Sequence, residues 1–91
     1  MAVSRSVLIT NKRGLHARAS AKFVTLAATQ PCEVLVEKDG AGSVTGTSIM
    51  GLMMLGAGIG ATIELQAEGW DAKEAIDALA ALVEAGFNES D

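Results

Sequence analysis

The chain has 91 residues, of which 49% are hydrophobic and 20% are charged, and its net charge is −4. This length fits a single domain spanning residues 1–91, and the composition is that of a globular chain rather than a disordered one. The acidic balance argues against nucleic acid as a partner, because binding to a phosphate backbone requires a broad basic surface. Aromatic residues are scarce, so an aliphatic core is expected.

The charge is unevenly distributed along the chain. Residues 1–32 carry five basic residues and no acid, and a small basic patch on an acidic body is suited to a compact anion or to a negatively charged partner surface. Cys32 is the single cysteine, so it cannot form an intrachain disulfide and nothing requires an oxidising compartment. No signal-like apolar segment is recognisable near Met1, and we therefore expect a cytoplasmic protein.

The first half of the chain alternates between strand and helix patterns. Val3, Val7 and Ile9 share one face of an alternating segment, which predicts a strand over Val3 to Thr10, followed by a polar turn over Asn11 to Gly14. From Ala17 the apolar residues recur at helical spacing, and Gln30-Pro31 ends this helix.

Two further strands and a short helix are expected in the middle of the chain. Cys32 to Lys38 alternates again, Asp39 to Gly42 has the composition of a hairpin turn, and Ser43 to Gly46 is the short return strand. The apolar segment that follows predicts a short helix starting near Ser48, which the glycines from Gly56 to Gly60 interrupt.

The last elements are a strand over Ala61 to Ala67 and a helix that begins at a capping box with Asp71 in the capping position and ends near Gly86. The one-sided strands favour an antiparallel sheet with one wet face. The predicted fold class is α+β: an open-faced two-layer sandwich in which three helices cover one face of a four-stranded antiparallel sheet, in the order βαββαβα.

The stretch from Gly40 to Ile63 contains no charged residue over 24 positions, which is long enough to suggest a transmembrane segment. Seven of the ten glycines lie within it. Because its apolar part is short and interrupted by glycine, we expect no membrane insertion.

The one histidine of the chain, His16, lies in its most basic stretch. A helix that begins just after His16 would present free backbone N–H groups and the positive end of its dipole to an anion. Arg18 would add a planar guanidinium that suits an oxyanion. The plain alternative is a surface histidine whose basic neighbours only keep the chain soluble.

Several chemistries fit His16 poorly. A general base usually has a carboxylate that orients it, and no acid lies within sixteen residues of His16 in the sequence. One histidine and one cysteine make a zinc site improbable, and no pattern indicates a cofactor. The chemistry that remains is nucleophilic attack of the imidazole on phosphorus, which would give a phosphohistidine.

The segments GLHARASAKF, which starts at Gly14, and TSIMGLMML, which starts at Thr47, together resemble HPr, the histidine-containing phosphocarrier family of the bacterial phosphotransferase system. The resemblance covers nearly the whole chain and implies the same open-faced sandwich. It also implies that His16 accepts a phosphoryl group on Nδ1, that Arg18 steadies this group, and that Ser48 is a site of regulatory phosphorylation.

The resemblance further implies the partners. Enzyme I would be the phosphoryl donor, an enzyme IIA protein or domain the acceptor, and an HPr serine kinase/phosphatase a possible regulator. The carrier is consumed stoichiometrically and is therefore not an enzyme. We expect a monomer whose docking face comprises Ile49, Met50 and Lys22, because exposed methionines suit a surface that fits several partners.

The family often has proline directly after the arginine, whereas this chain has Ala19, as in the nitrogen-related branch. Sugar transport and nitrogen regulation both stay open. Two other functions also stay open: a purely regulatory HPr-like protein that binds partners through Ser48, and an acyl-carrier-like module, against which the clean alternation of the strands argues.

Overall fold

The computed structural model describes residues 2–89. The predicted βαββαβα order is confirmed. The elements are β1 (Ala2–Leu8), α1 (Ala17–Ala27), β2 (Val34–Lys38), β3 (Gly42–Thr45), α2 (Ile49–Met54), β4 (Thr62–Glu68) and α3 (Ala72–Glu84).

The four strands form one antiparallel sheet in the order β1-β4-β2-β3. Along β4, Ile63, Leu65 and Ala67 are buried, whereas the residues between them face away from the core. The helices cover the buried face, with α3 over β1 and β4 and with α1 packed against α2. The open-faced sandwich predicted from the one-sided strands is therefore confirmed.

The core differs from the expectation in one respect. Its residues are mostly aliphatic, but the side chains of Phe23 and Phe87 are both fully buried. Trp70, in the turn between β4 and α3, is 98% exposed and contributes nothing to the core. The expectation of an aliphatic core was therefore incomplete, because two of the three aromatic side chains fill its largest spaces.

Strand ends differ from the predicted ends by one or two residues. The regular ladder of β1 ends at Leu8 rather than Thr10, although Ile9 still donates its N–H to the Ala61 carbonyl (2.8 Å) and accepts from Gly60 N–H (2.9 Å). These bonds bring the glycine-rich segment after α2 beside the turn that leads to α1.

The predicted capping box at the start of α3 is wrong. Asp71 occupies the capping position, but its side chain makes no capping hydrogen bond. Its backbone, with φ −97° and ψ 8°, is not in the extended conformation that turns a capping side chain back over the first helical amides.

None of the helices within residues 2–89 is long and apolar enough to cross a membrane. The uncharged stretch from Gly40 to Ile63 is divided among β3, α2, the glycine-rich segment and the start of β4.

Candidate functional site

His16 is the N-cap residue of α1. Its backbone is extended (φ −74°, ψ 179°), and its Nδ1 accepts a hydrogen bond from the backbone N–H of Arg18 at 3.2 Å. The first intrahelical bond runs from Ser20 N–H to the His16 carbonyl (2.9 Å). The imidazole therefore lies beside the helix amides that lack intrahelical partners, where the helix dipole is positive.

The loop before α1 holds His16 in place through the backbone. Gly14 has φ +61°, and a Cβ there would lie 2.3 Å from the Ala57 carbonyl oxygen. Only glycine permits this approach, which lets Leu15 N–H donate to the same Ala57 oxygen at 2.9 Å. The buried Ser20 hydroxyl donates to the Leu15 carbonyl (3.2 Å) and joins the loop to the helix.

A carboxylate contacts the other ring nitrogen of His16. Nε2 is hydrogen-bonded to Oε2 of Glu89, and the two side chains are only 14% and 12% exposed. Nδ1 accepts a hydrogen bond from an amide, so this nitrogen carries no proton. In the neutral ring the proton is therefore on Nε2, which faces Glu89. The nitrogen on which the resemblance places the phosphoryl group is thus the one that keeps a lone pair.

Asn11 links Glu89 to the loop. Its Nδ2 donates to the Gly14 carbonyl (2.9 Å) and to Oε1 of Glu89 (2.8 Å). The hydrogen bond from Asn11 is the main reason that the pKa of Glu89 lies below its ordinary value; partial burial opposes this effect, and His16 and Lys22 add to it.

The two basic residues singled out on α1 have different environments. The Arg18 side chain is exposed, and the hydrogen bond of this residue to His16 is made by the backbone amide rather than by the guanidinium. Lys22 is half-buried, and its Nζ donates to the Phe87 carbonyl at 2.7 Å. Among residues 2–89 the Arg18 guanidinium has no hydrogen-bond partner and is exposed to an incoming anion, whereas the ammonium of Lys22 holds the segment after α3 through the Phe87 carbonyl.

The predicted regulatory residue and two of the three predicted docking residues lie at the start of α2, whereas Lys22 lies on α1. Ser48 is the N-cap, and its Oγ accepts from Gly51 N–H at 3.0 Å. The next two side chains, Ile49 and Met50, are 40% and 72% exposed. Because α2 packs against α1, these apolar side chains and His16 belong to neighbouring helices. A docking role for Ile49, Met50 and Lys22 stays a prediction.

Sequence reasoning missed Asn11 and Glu89 as parts of the site. A weak signal was available: a helix that ends at Gly86 and is followed by a large apolar residue, Phe87, often returns to the core at that point. Such a return would have directed attention to Glu89, the next acid along the chain. Among residues 2–89, no three side chains of the metal-binding types converge on a possible metal site.

A four-stranded open-faced sandwich with a half-buried histidine at the start of its first helix has the architecture of a small histidine phosphocarrier. The family model described as "PTS HPr component phosphorylation site" matches residues 3–85. The chain therefore belongs to the HPr family of phosphocarriers.

Individual relatives agree with this assignment. The phosphocarrier protein HPr of Cupriavidus necator is 47% identical over 98% of this chain and 99% of its own length. The phosphocarrier protein NPr of Shewanella violacea is 43% identical over 97% of this chain and 96% of its own length. A crystal structure of HPr from Thermoanaerobacter tengcongensis superposes with a TM-score of 0.89 at 44% identity, covering 97% of this chain and 98% of that one.

Proposed function

We propose that His16 accepts a phosphoryl group on Nδ1 from phosphorylated enzyme I and passes it to an enzyme IIA protein or domain. The observation that supports this most directly is the hydrogen bond from Arg18 N–H to Nδ1. It identifies Nδ1 as the ring nitrogen with a lone pair and places that lone pair at the positive end of α1.

The transfer uses groups that are already in place. As the Nδ1 lone pair attacks phosphorus, a bond forms between them and the bond from phosphorus to the donor breaks. The Arg18 N–H then donates to a phosphoryl oxygen instead of to Nδ1, because the phosphoryl oxygens lie at the free amides of the helix start. The exposed guanidinium of Arg18 adds a second, charged donor. Transfer to the acceptor reverses these steps.

The proposed docking face combines exposed side chains of the neighbouring helices α1 and α2. Met50 and Ile49 present a flexible apolar surface on α2, and Arg18 presents positive charge on α1. Both donor and acceptor must bring phosphorus to the same nitrogen, so both must use this face. An adaptable methionine surface suits two unrelated partners.

The experiment is incubation of the chain with phosphoenolpyruvate and enzyme I, followed by mass spectrometry. We expect one acid-labile phosphoryl group on the wild-type chain and none on the His16→Ala variant. Addition of an enzyme IIA protein should remove the label from the wild type. An acid-stable label, or a label that His16→Ala retains, would contradict the proposal.

A second function has an observation of its own. Ser48 caps α2 directly before Ile49 and Met50, so a phosphate there would place negative charge on the proposed docking face. The HPr-like protein Crh of Halalkalibacterium halodurans is 46% identical to this chain over 82 residues. A regulator acting through Ser48 would take phosphate from a serine kinase and ATP while remaining unlabelled by enzyme I, which the same mass measurement detects.

A further inference from the structure

The chain makes an unusual turn after α3. Gly86, Phe87 and Asn88 have φ values of 63°, 57° and 57°, so two residues with side chains occupy the left-handed region in succession. Residues other than glycine rarely adopt this conformation, and it persists only where surrounding contacts impose it.

Specific contacts hold this turn in place. The Phe87 side chain is fully buried in the core, and its carbonyl accepts from Lys22 Nζ at 2.7 Å. Within the turn, Asn88 N–H donates to the Ala85 carbonyl and Glu89 N–H to the Gly86 carbonyl, both at 3.1 Å. These contacts fix the backbone that places Glu89 at the ring of His16.

Both carboxylate oxygens of Glu89 are engaged. Oε1 accepts from Asn11 Nδ2, and Oε2 contacts His16 Nε2. The orientation of the Asn11 amide is determined by its neighbours, because Glu89 and the Gly14 carbonyl are both acceptors and require the NH₂ group. Within residues 2–89, the Asn11 Oδ1 is consequently buried with no hydrogen-bond partner. The orientation of the Asn11 amide therefore satisfies its NH₂ group, through Glu89 and the loop, and leaves its oxygen unsatisfied.

We propose that Glu89 is a positioning residue for phosphoryl transfer: its carboxylate keeps the imidazole proton on Nε2 and thereby keeps the Nδ1 lone pair directed at the start of α1. This inference rests on the proposed transfer at His16. It adds Glu89, which lies 73 positions after His16 in the sequence and is brought to the ring by the tail, residues 86–89 after α3.

The proton balance of the reaction explains how the Glu89 carboxylate assists phosphoryl transfer. Neutral imidazole attacks through Nδ1 while the proton stays on Nε2, so the ring becomes a cation as the bond to phosphorus forms and the donor departs. A carboxylate that accepts from Nε2–H is the counter-charge for that cation. When the phosphoryl group leaves for the acceptor, the electron pair returns to Nδ1 and the ring is neutral again.

Glu89 does not obstruct the attack. It contacts Nε2, whereas the incoming phosphorus approaches Nδ1 on the other side of the ring. The other charged groups from α1 that face this region, Arg18 and Lys22, are cations, and Lys22 is engaged with the tail itself. Positioning rather than inhibition is therefore the role that the geometry favours.

The test compares the wild-type full chain with Glu89→Gln and Glu89→Asp, and with Glu68→Gln as a matched control. Glu68 is exposed at the opposite end of β4 from the residues that pair beside Ile9. Gln at position 89 can satisfy the Asn11 donor only with its carbonyl oxygen, which turns its own NH₂ toward Nε2. The ring should then shift toward the tautomer protonated on Nδ1.

Two measurements read the effect. Nitrogen-15 NMR of the unphosphorylated protein reports the tautomer directly, because the chain has one histidine. We expect Nε2–H in the wild type and in Glu68→Gln, and a substantial Nδ1–H fraction in Glu89→Gln. With enzyme I as donor, we expect kcat to fall about tenfold in Glu89→Gln with little change in KM, and Glu89→Asp to recover part of the loss.

Each outcome decides the inference. An unchanged tautomer or an unchanged kcat in Glu89→Gln overturns it, and a faster Glu89→Gln variant would show instead that the tail inhibits transfer. A wild-type chain that accepts no phosphate on His16 refutes the proposed function itself, and the tautomer measurement still reports separately whether Glu89 controls the ring.

Discussion

The side-chain amide of Asn11 lies 2.8 Å from the carboxylate of Glu89, although 78 positions separate the two residues. The same amide lies 2.9 Å from the Gly14 carbonyl. One side chain therefore joins the loop that leads into α1 to the segment that follows α3, and the ring of His16 lies where the two meet.

The Asn11→Ala substitution should raise the pKa of Glu89. The Asn11 hydrogen bond is the largest cause of the lowered pKa. Without it, burial, which raises the pKa of Glu89, is opposed less strongly. Titration of the Glu89 carboxyl carbon by NMR measures this. Asp77 is an internal control, since its own lowered pKa is due first to a hydrogen bond from Lys73 and should not change.

The sign of the pH dependence follows from the same contact. Because the pKa of Glu89 is lower in the folded chain than its ordinary value of 4.5, docking of the tail stabilises the fold fully above that value and loses its contribution as the pH falls through the lowered pKa. The hydrogen-exchange protection factor of the Glu89 amide, which is the intrinsic rate divided by the observed rate, should therefore fall on acidification. Exchange that slows as the pH falls below 4.5, beyond the intrinsic effect of acid, would contradict this prediction.

The Gly14→Ala substitution should destabilise the protein by about 2–4 kcal/mol. Its Cβ would lie 2.3 Å from the Ala57 oxygen and 2.7 Å from the Gly58 Cα, at a φ of +61°. Urea unfolding followed by far-UV circular dichroism measures the loss. Gly58→Ala is the control, because a Cβ at Gly58 meets nothing within 4 Å. Equal stability of the two variants would show that the loop relaxes freely.

The Ser48→Ala substitution should cost about 1 kcal/mol, since it removes the oxygen that accepts Gly51 N–H. In a domain of this size such a loss corresponds to a fall in Tm of about 4–8 °C. Ser48→Asp retains a capping acceptor and should unfold near the wild-type temperature. If Ser48→Asp melts as low as Ser48→Ala, the capping explanation is wrong.

The Met50→Asp substitution should slow phosphoryl transfer about tenfold or more without unfolding the domain. Met50 is 72% exposed, so a charge there costs the fold little, but it places an unpaired carboxylate in an apolar contact with each partner. The measurement is the rate of transfer from enzyme I. Trp70→Asp changes an even more exposed apolar residue in the turn after β4 and should transfer at the wild-type rate.

Hydrophobic periodicity was sufficient to predict the architecture. The alternation of Ile63 and Leu65 in β4 and the helical spacing around Phe23 reflect burial on one face of an element, which local sequence records directly. The position of His16 at a helix start was predictable for the same reason, because the change of period at Ala17 marks that start.

The rest of the site depends on contacts that local sequence does not record. The capping prediction at Asp71 was wrong because the backbone entering α3 is not extended there. The Glu89 contact was missed because it requires a left-handed turn at Phe87, which depends on burial of the ring and on the bond from Lys22. Such a turn is chosen by tertiary packing rather than by local preference.

The exposure of Trp70 has a practical consequence for all of these measurements. The only indole of the chain is almost fully in water while the protein is folded, so its fluorescence emission should barely move when the domain melts. Partner docking at the opposite end of the sandwich should be equally invisible to it. An intrinsic optical reporter for this carrier has to be introduced, and a tryptophan in place of Phe23 or Phe87 would report on the core that the native indole does not touch.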